Sequence, residues 1–418
     1  MNHQEQLEGL RRIWALQGFG VVEVDIERDG RQPIKIVRLR DERRGHRCPE
    51  CGKWHREGLF EEAEERRWRD RSLGDFTTFV AITPWRVACC GGTRVEAFPW
   101  EAPGHRMTRR FFELVAGLCR RLPVAAVAAM AGLSWETVAR VDKASIKLSL
   151  GDGPSLDGIR WIGVDEVSRT GGRVYFTVVT NLRTGEVVWI GDGKSEESLA
   201  AFFRKLGRRG CRKIRGVVSD LGGGYLAAIL AYIPHAIHIL DRFHIVQWVN
   251  EALEQIRRQI FGGAPADDLG RRFKVKKWLL LSAYEALELG KKRLLGTLLA
   301  RNRTLQRAYL LKEQLRGILH YPWRYLGALR RNLLAWCHMA IRSRLRPLKR
   351  VGYRLREHTE KVVAAYEHHV PLGLVEVINR KIGFLRRQAH GYRDTEYFKL
   401  KIYQRCSLAS DPYAEVIL

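Results

Sequence analysis

Between residues 160 and 244, short apolar runs repeatedly stop at acids. Trp161-Ile162-Gly163-Val164 meets Asp165-Glu166, Ile214 to Val218 meets Ser219-Asp220, and Ala236 to Leu240 meets Asp241-Arg242-Phe243-His244. Runs this short and this rich in β-branched residues read as buried strands. Val174 to Thr180 and Val187 to Ile190 read as two more strands, joined through Arg183-Thr184-Gly185. Ser195 to Leu206 and Gly224 to Tyr232 read as helices. The order is β-β-β-α-β-α-β, with an acid expected at the ends of strands one, four and five. In open α/β sheets, ligands collect at strand ends.

That order is the ribonuclease H-like arrangement. Carboxylates so placed suit hard divalent ions such as Mg²⁺ (or Mn²⁺), which take oxygen ligands and leave room for water and phosphate. Two ions about 4 Å apart serve an in-line phosphoryl displacement. A third carboxylate is expected from a later helix, and Glu376 is the best candidate. Val375, Ile378, Ile382 and Leu385 form one apolar face of the segment around it. Glu376, Asn379, Arg380, Gly383 and Arg387 form the opposite face. The gap from Asp220 to Glu376 is too long for a loop. Phe273 to Leu289, Lys291 to Leu319, Trp323 to Arg342 and Tyr353 to His368 read as helices, so a helical insertion splits the α/β domain.

Charge singles out the same region. The chain has 418 residues, 73 Lys+Arg and 46 Asp+Glu, for a net charge of +27. Residues 251–418 carry +19 of it, and Arg301 to Arg356 holds 15 basic residues against one acid, Glu313. A solvated helical face mixes signs, so this stretch points to nucleic acid. Arg330, Arg331, Arg342 and Arg344 are the expected DNA contacts in the insertion, with Arg380 and Arg387 beside Glu376. A membrane surface is the rival partner, but no long basic amphipathic helix with a Trp/Phe/Leu face is evident. No apolar run approaches the ~20 residues of a membrane helix. We expect a soluble cytoplasmic, nucleoid-associated protein.

The first hundred residues are nearly neutral and hold a cysteine cluster. Cys48-Pro49-Glu50-Cys51-Gly52 reads as a zinc knuckle. Cys89 and Cys90 are the second pair, although adjacent side chains of an extended chain point apart. His46 or His55 is therefore a possible substitute for one of them. Val21 to Ile26, Ile34 to Val37 and Phe76 to Ile82 read as strands of a small β-rich module ending near Pro103-Gly104. Cys119, Cys211, Cys337 and Cys406 read as core residues. Thr108 to Leu122, Val124 to Met130 and Trp135 to Ser145 read as helices, the last N-capped by Ser134 after a turn at Gly132-Leu133. This is a helix-turn-helix layout. Trp135, Glu136, Thr137 and Arg140 would be exposed on the second helix; Trp135, Thr137 and Arg140 are the candidate DNA readers. Gly191-Asp192-Gly193-Lys194-Ser195 ends like a phosphate-binding loop, but Val188 stands where that pattern needs glycine.

Together these parts resemble the ISL3 family of bacterial insertion-sequence transposases, which carry a DDE catalytic domain. The resemblance rests on Gly163-Val164-Asp165-Glu166, Ser219-Asp220 with Tyr225, Ile239-Leu240-Asp241-Arg242-Phe243-His244, and Glu376-x-x-Asn379 followed by Arg387, Gly391 and Tyr392. It implies Asp165, Asp220 and Glu376 as the metal-binding triad, with Asp241 and His244 lining the site. It also implies Mg-dependent cleavage and strand transfer of DNA ends, by at least a dimer because two ends must be paired. Two departures stand out: Val377 where the family has glycine, and the compressed Cys89-Cys90 pair.

The expected class is an α+β multidomain chain. Residues 1–104 form the zinc-binding β module, with Cys48, Cys51, Cys89 and Cys90 as ligands, and 105–153 the helix-turn-helix. Residues 154–261 begin the ribonuclease H-like domain, 262–369 are the basic helical insertion, and 370–418 carry its last helix and the tail. The alternatives are a non-catalytic zinc/helix-turn-helix DNA-binding regulator derived from such an enzyme, and a nuclease that cuts without joining.

Overall fold

A computed structural model of the chain describes residues 16–29, 32–56, 60–72, 75–169, 174–220, 223–261, 277–389 and 391–406. The chain divides into two units, 1–152 and 153–418.

The first unit begins with β1 (Phe19–Asp29) and β2 (Gln32–Asp41), an antiparallel pair. The small ladder of β3 (His46–Arg47) with β4 (Trp54–His55) follows. Next come β5 (Phe60–Glu62), β6 (Arg66–Arg69), β7 (Thr77–Ile82), β8 (Trp85–Cys89) and β9 (Gly92–Val95). One sheet has the order β1-β2-β7-β6, another β5-β8-β9. Phe19, Trp68, Phe98 and Trp100 fill a core between the first of these sheets and the chain that follows β9, with Phe98 stacked on Trp100 at 5.0 Å.

Three helices complete this unit: α1 (Arg109–Cys119), α2 (Val124–Ala131) and α3 (Trp135–Leu150). Thr108 caps α1 and Ser134 caps α3, each side chain accepting a backbone N–H three residues on. Gly132 ends α2 in the left-handed region at φ 62°, where a β-carbon is strained. The bend between α2 and α3 is 113°, within the range of a helix-turn-helix. No single described helix is long and apolar enough to cross a membrane.

The second unit holds a mixed five-stranded sheet. Its strands are β10 (Trp161–Ser168), β11 (Tyr175–Asn181), β12 (Glu186–Asp192), β13 (Gly216–Ser219) and β14 (Ile237–Leu240), in the order β12-β11-β10-β13-β14. The first two pairings are antiparallel and the last two parallel. Helices α4 (Glu196–Lys213) and α5 (Gly223–Tyr232) cover one face through Leu199, Phe202, Phe203 and Ile229. α13 (Gly373–Gln388) and α14 (Thr395–Arg405) cover the other through Ile378, Ile382, Phe398 and Ile402.

Asp165 does not end its strand, as the sequence pattern suggests. β10 continues to Ser168 because β11 pairs with it throughout, Asp165 opposite Val178. Only the parallel ladder to β13 stops early, at Gly163. The acid therefore stands just beyond the point where one side of the strand becomes free.

α6 (Arg242–Phe261) leads from the sheet into a helical layer of α7 (Lys277–Leu281), α8 (Leu289–Arg301), α9 (Arg303–His320), α10 (Leu326–Arg342), α11 (Arg346–Glu357) and α12 (Thr359–Glu367). Trp248, Leu253, Leu315, Trp336 and Leu355 share one core there. The segments expected as single helices over 291–319 and 353–368 are each two helices. Asn302 leaves the helical region and caps α9, accepting from Leu305 N–H at 2.9 Å. α11 starts earlier than expected because Pro347 is accommodated in its first turn, and it stops at His358. Phe273 and Gly222 lie outside the described residues.

Asp70 joins the β-sheet to the helices within the first unit. Its side chain is fully buried and accepts from Thr108 Oγ1 at 2.6 Å and from Arg110. Burial alone would raise its pKa, but the hydrogen bonds from Arg110 and Thr108 prevail and hold it below the usual carboxylate range. A depressed folded pKa contributes stability that is complete above the unfolded value, about 4, and fades as the pH falls through the folded value. Asp70→Asn should cost about 1.5–3 kcal/mol at pH 7. Thermal melts should show that deficit shrinking below about pH 4; a pH-independent gap would contradict the ion pair's role.

Candidate functional site

Alternation along β10 puts Ile162, Val164 and Glu166 on one face and Gly163, Asp165 and Val167 on the other. The second face carries α13. A β-carbon on Gly163 would lie 2.5 Å from Val375 Cγ2 and 3.0 Å from Leu182 Cδ2. The missing side chain lets α13 seat directly on the strand, two residues from Asp165. That close approach brings Asn379 to Asp165, and Asn379 Nδ2 donates to Asp165 Oδ2. Asp165 Oδ1 accepts from the backbone N–H of Glu166 at 2.7 Å.

Asp241 follows β14 and caps α6, accepting the Phe243 backbone N–H at 3.0 Å. This start of α6 turns Phe243 outward, 49% exposed, and His244 inward. His244 lies between two acids, Nε2 being 3.8 Å from Asp165 Oδ1 and Nδ1 3.9 Å from Asp220 Oδ2. Burial pushes the Asp165 carboxyl up to about 6, with Asp241 adding to the rise against His244, the Glu166 N–H and Asn379. Burial also raises Asp241, and the charge of Glu376 adds to it. Glu376 is half-exposed and pairs with Arg380 at 3.6 Å, one turn along α13. The structure thus brings Asp165, Asp220, Asp241, His244 and Glu376 to one locality. An oxygen-rich donor set whose buried members resist ionising is one that a divalent cation would relieve.

Tyr225 packs with Ile162 and Val164 on the face of the sheet opposite Asp165. Thr177 Oγ1 donates to Gly193 O at 2.9 Å, so at 2.9 Å from Tyr225 the phenol must be the donor. Burial lifts the Tyr225 hydroxyl to about 12.

In the first unit, the four cysteines meet. Cys48–Cys90 is 4.0 Å, Cys51–Cys89 3.6 Å and Cys89–Cys90 3.7 Å between sulfurs. Four Zn–S bonds of about 2.3 Å at tetrahedral angles require edges of about 3.8 Å. Adjacent Cys89 and Cys90 can both contribute because the chain is not extended there. Cys90 (φ 51°) and Gly91 (φ 76°) form the two-residue turn between β8 and β9. His46 is not a substitute ligand; it faces Glu96 at 3.2 Å and Trp85. His55 is its ladder partner and does not join the sulfur group either. The Lys53 backbone N–H draws the Cys51 thiol down to about 7, while Cys51 pushes Cys90 up to about 12. Sulfurs this crowded need a cation before all can ionise.

The DNA candidates divide by environment. Trp135 and Arg140 are exposed on α3, and Thr137 is half-buried, its hydroxyl 2.9 Å from Ser134 Oγ. Arg330 is clasped by both oxygens of Glu360 at 2.7 and 2.6 Å, which neutralises it. Arg331, Arg342 and Arg344 are exposed, and among the described residues no ion pair occupies them. Arg387 is exposed on α13, as is Arg380 beside Glu376. Sequence reasoning marks Ser219 only as the residue before Asp220 and does not single out His238 or Lys361, whose contacts exist only once β13, β14 and α12 are packed.

Comparison with known proteins finds two family matches and several similar chains. A transposase family profile, the DDE type of ISL3, matches residues 162–402, and a profile described as the helix-turn-helix domain of transposase family ISL3 matches 96–146. The chain is 31% identical over 390 residues to the transposase for insertion sequence element IS1001 of Bordetella parapertussis, covering 92% of this chain and 95% of the relative. It is 28% identical over 403 residues to the transposase for IS1557 of Mycobacterium tuberculosis, covering 90% and 88%.

Proposed function

Because the chain belongs to the ISL3 family of transposases, we propose that it binds the terminal inverted repeats of an insertion sequence, cleaves there and joins the freed 3′-OH to target DNA. The observation that carries this reading is the convergence of Asp165 on β10, Asp220 and Asp241 just after β13 and β14, His244 on α6 and Glu376 on α13. The strand order β12-β11-β10-β13-β14 supports a ribonuclease H-like domain, interrupted after α6 by the helical layer. We take 1–104 and 105–153 as the two DNA-recognition modules, and 154–261 with 370–418 as the catalytic domain around the insertion 262–369.

Asp165, Asp220 and Glu376 would hold Mg²⁺ or Mn²⁺, which when bound neutralises the phosphate and lowers the pKa of the attacking hydroxyl. Asn379 occupies one oxygen of Asp165 and leaves the carboxylate a fixed orientation. His244 keeps Asp165 and Asp220 apart at a set distance. In cleavage, a water oxygen bonds to phosphorus, the strand's 3′-oxygen leaves, and one proton is released. In joining, that 3′-oxygen bonds to a target phosphorus, a target 3′-oxygen leaves, and no external energy source is consumed.

Asp165→Ala should abolish Mg²⁺-dependent nicking of an end-containing duplex, with end binding within about twofold of the parent in a gel shift. Nicking at the parental rate would falsify the triad.

Zn²⁺ at Cys48, Cys51, Cys89 and Cys90 is the reading that the sulfur spacing supports. Metal analysis of purified protein should find about one zinc per chain, released together with end binding by a chelator. A zinc-free protein that still binds ends sinks this assignment.

Arg331, Arg342 and Arg344 are taken as phosphate contacts of the insertion, and Arg330 is not. The triple alanine variant should flatten the log–log salt dependence of duplex binding by about 0.9 for each phosphate no longer neutralised. Arg330→Ala should leave it unaltered; an unchanged slope in the triple variant refutes the grip.

A further inference from the structure

Ser219 is the last residue of β13 and is 1% exposed. Its hydroxyl donates to the backbone carbonyl of Asp220 at 3.0 Å. A serine hydroxyl has one proton. The 2.9 Å contact between Ser219 Oγ and His238 Nε2 therefore runs the other way, with Nε2–H as donor. His238 sits on β14, beside β13. Its Nδ1 is then an acceptor, and Lys361 Nζ of α12 donates to it at 3.4 Å. The three contacts are mutually consistent for one form of the imidazole, neutral with the proton on Nε2. Burial, then the charges of Lys361 and His358, push His238 down to about 4, which agrees with that form.

An ammonium, an imidazole and a hydroxyl in series are an expensive way to fill space between a strand and a helix. Each buried polar group costs about 1–3 kcal/mol if its partner fails, whereas an aliphatic side chain at 238 carries no such risk. What the series does is reach the peptide immediately after Asp220. The β13–β14 ladder ends at the Ser219–Leu240 pair, so the acid stands beyond the sheet's own restraint. The hydroxyl of Ser219 restrains the Asp220 carbonyl, His238 fixes the hydroxyl, and Lys361 fixes the ring from α12.

We propose that Ser219, His238 and Lys361 form a positioning chain that sets the orientation of Asp220 for divalent-cation binding and ties it to the last helix of the insertion. None of the three touches DNA or a reacting atom in this role. The inference rests on the reading of Asp220 as a metal-binding acid.

The test is Mn²⁺ binding to the full-length protein without DNA, followed by electron paramagnetic resonance, with end-duplex binding in EDTA and thermal melts alongside. Groups that orient metal ligands are worth roughly 10–100-fold in metal affinity. Ser219→Ala and His238→Ala should each weaken Mn²⁺ binding about tenfold, and the double variant no more than either alone, because both break one chain. His238→Gln can donate to Ser219 and accept from Lys361, and should stay within about threefold of the parent. End binding should not move in any of them. If His238→Ala fails to fold, Ser219→Ala decides, since it removes only a hydroxyl. Parental Mn²⁺ affinity in Ser219→Ala, or additive losses in the double variant, overturns the chain. Asp220→Asn separates the two readings. If it loses Mn²⁺ while Ser219→Ala and His238→Ala do not, only the positioning chain falls. If Asp220→Asn also binds as the parent does, the metal-binding role of Asp220 falls with it.

Discussion

The acid cluster depends on one close approach, between α13 and the bare backbone of Gly163. Any β-carbon there would strike the stiff, branched side chain of Val375. With none, the helix lies against the face of β10 that presents Asp165. Asn379 then reaches that acid, and Glu376 comes close enough to Asp241 to raise its pKa. Helix and strand are separated by most of the second unit's sequence, so this approach folds the far end of the chain back onto the first acid. The two apolar clusters beneath α13, around Ile378 and around Val375, hold the helix down on both sides of its polar face.

Electrostatics gives the cluster its character. In a chain of net charge +27, carboxylates at one locality could simply be neutralised by arginine. Asp70 and Glu254 are treated that way, by Arg110 and by Arg257 with Arg258. Asp165 is not. Its described partners are an amide, a backbone N–H and an imidazole 3.8 Å away. Burial without a cation partner raises its pKa, the opposite of the fate of Asp70. The basic residues of the insertion are likewise uneven. Arg330 and Arg316 are spent on Glu360, Glu285 and Glu313, while Arg331, Arg342 and Arg344 remain exposed.

Much of the organisation is legible along the chain. Thr108, Gly132 and Ser134 punctuate the helix-turn-helix through local backbone chemistry, which needs no distant partner. The five strands of the second sheet are visible as short apolar runs, and the face of α13 as a 3.6-residue period. Where sequence and structure part, the cause is a partner or a turn that periodicity does not register. The strand around Asp165 reads as finished at the acid, yet it continues because β11 pairs with it from Ile162 to Ser168. The helix across Asn302 reads as continuous, since apolar periodicity runs through a cap without a break. The adjacency of Cys89 and Cys90 leaves open whether both reach one site; a two-residue turn with Cys90 in the left-handed region brings both sulfurs to the cluster.

The sequence alone determined residue types and their local spacing: the acids after apolar runs, the knuckle at Cys48 and Cys51, the concentration of charge in 251–418, and the polar face of α13. Those follow from short-range rules of backbone and side-chain periodicity. Only the tertiary structure decided which of these groups meet. His244 stands between Asp165 and Asp220, Glu360 claims Arg330, and Lys361 reaches Ser219 through His238. Each of these pairings joins residues from separate elements. No periodicity within one segment encodes how a strand, a helix and an inserted layer pack together, and that packing sets the distances on which charge and hydrogen bonding depend.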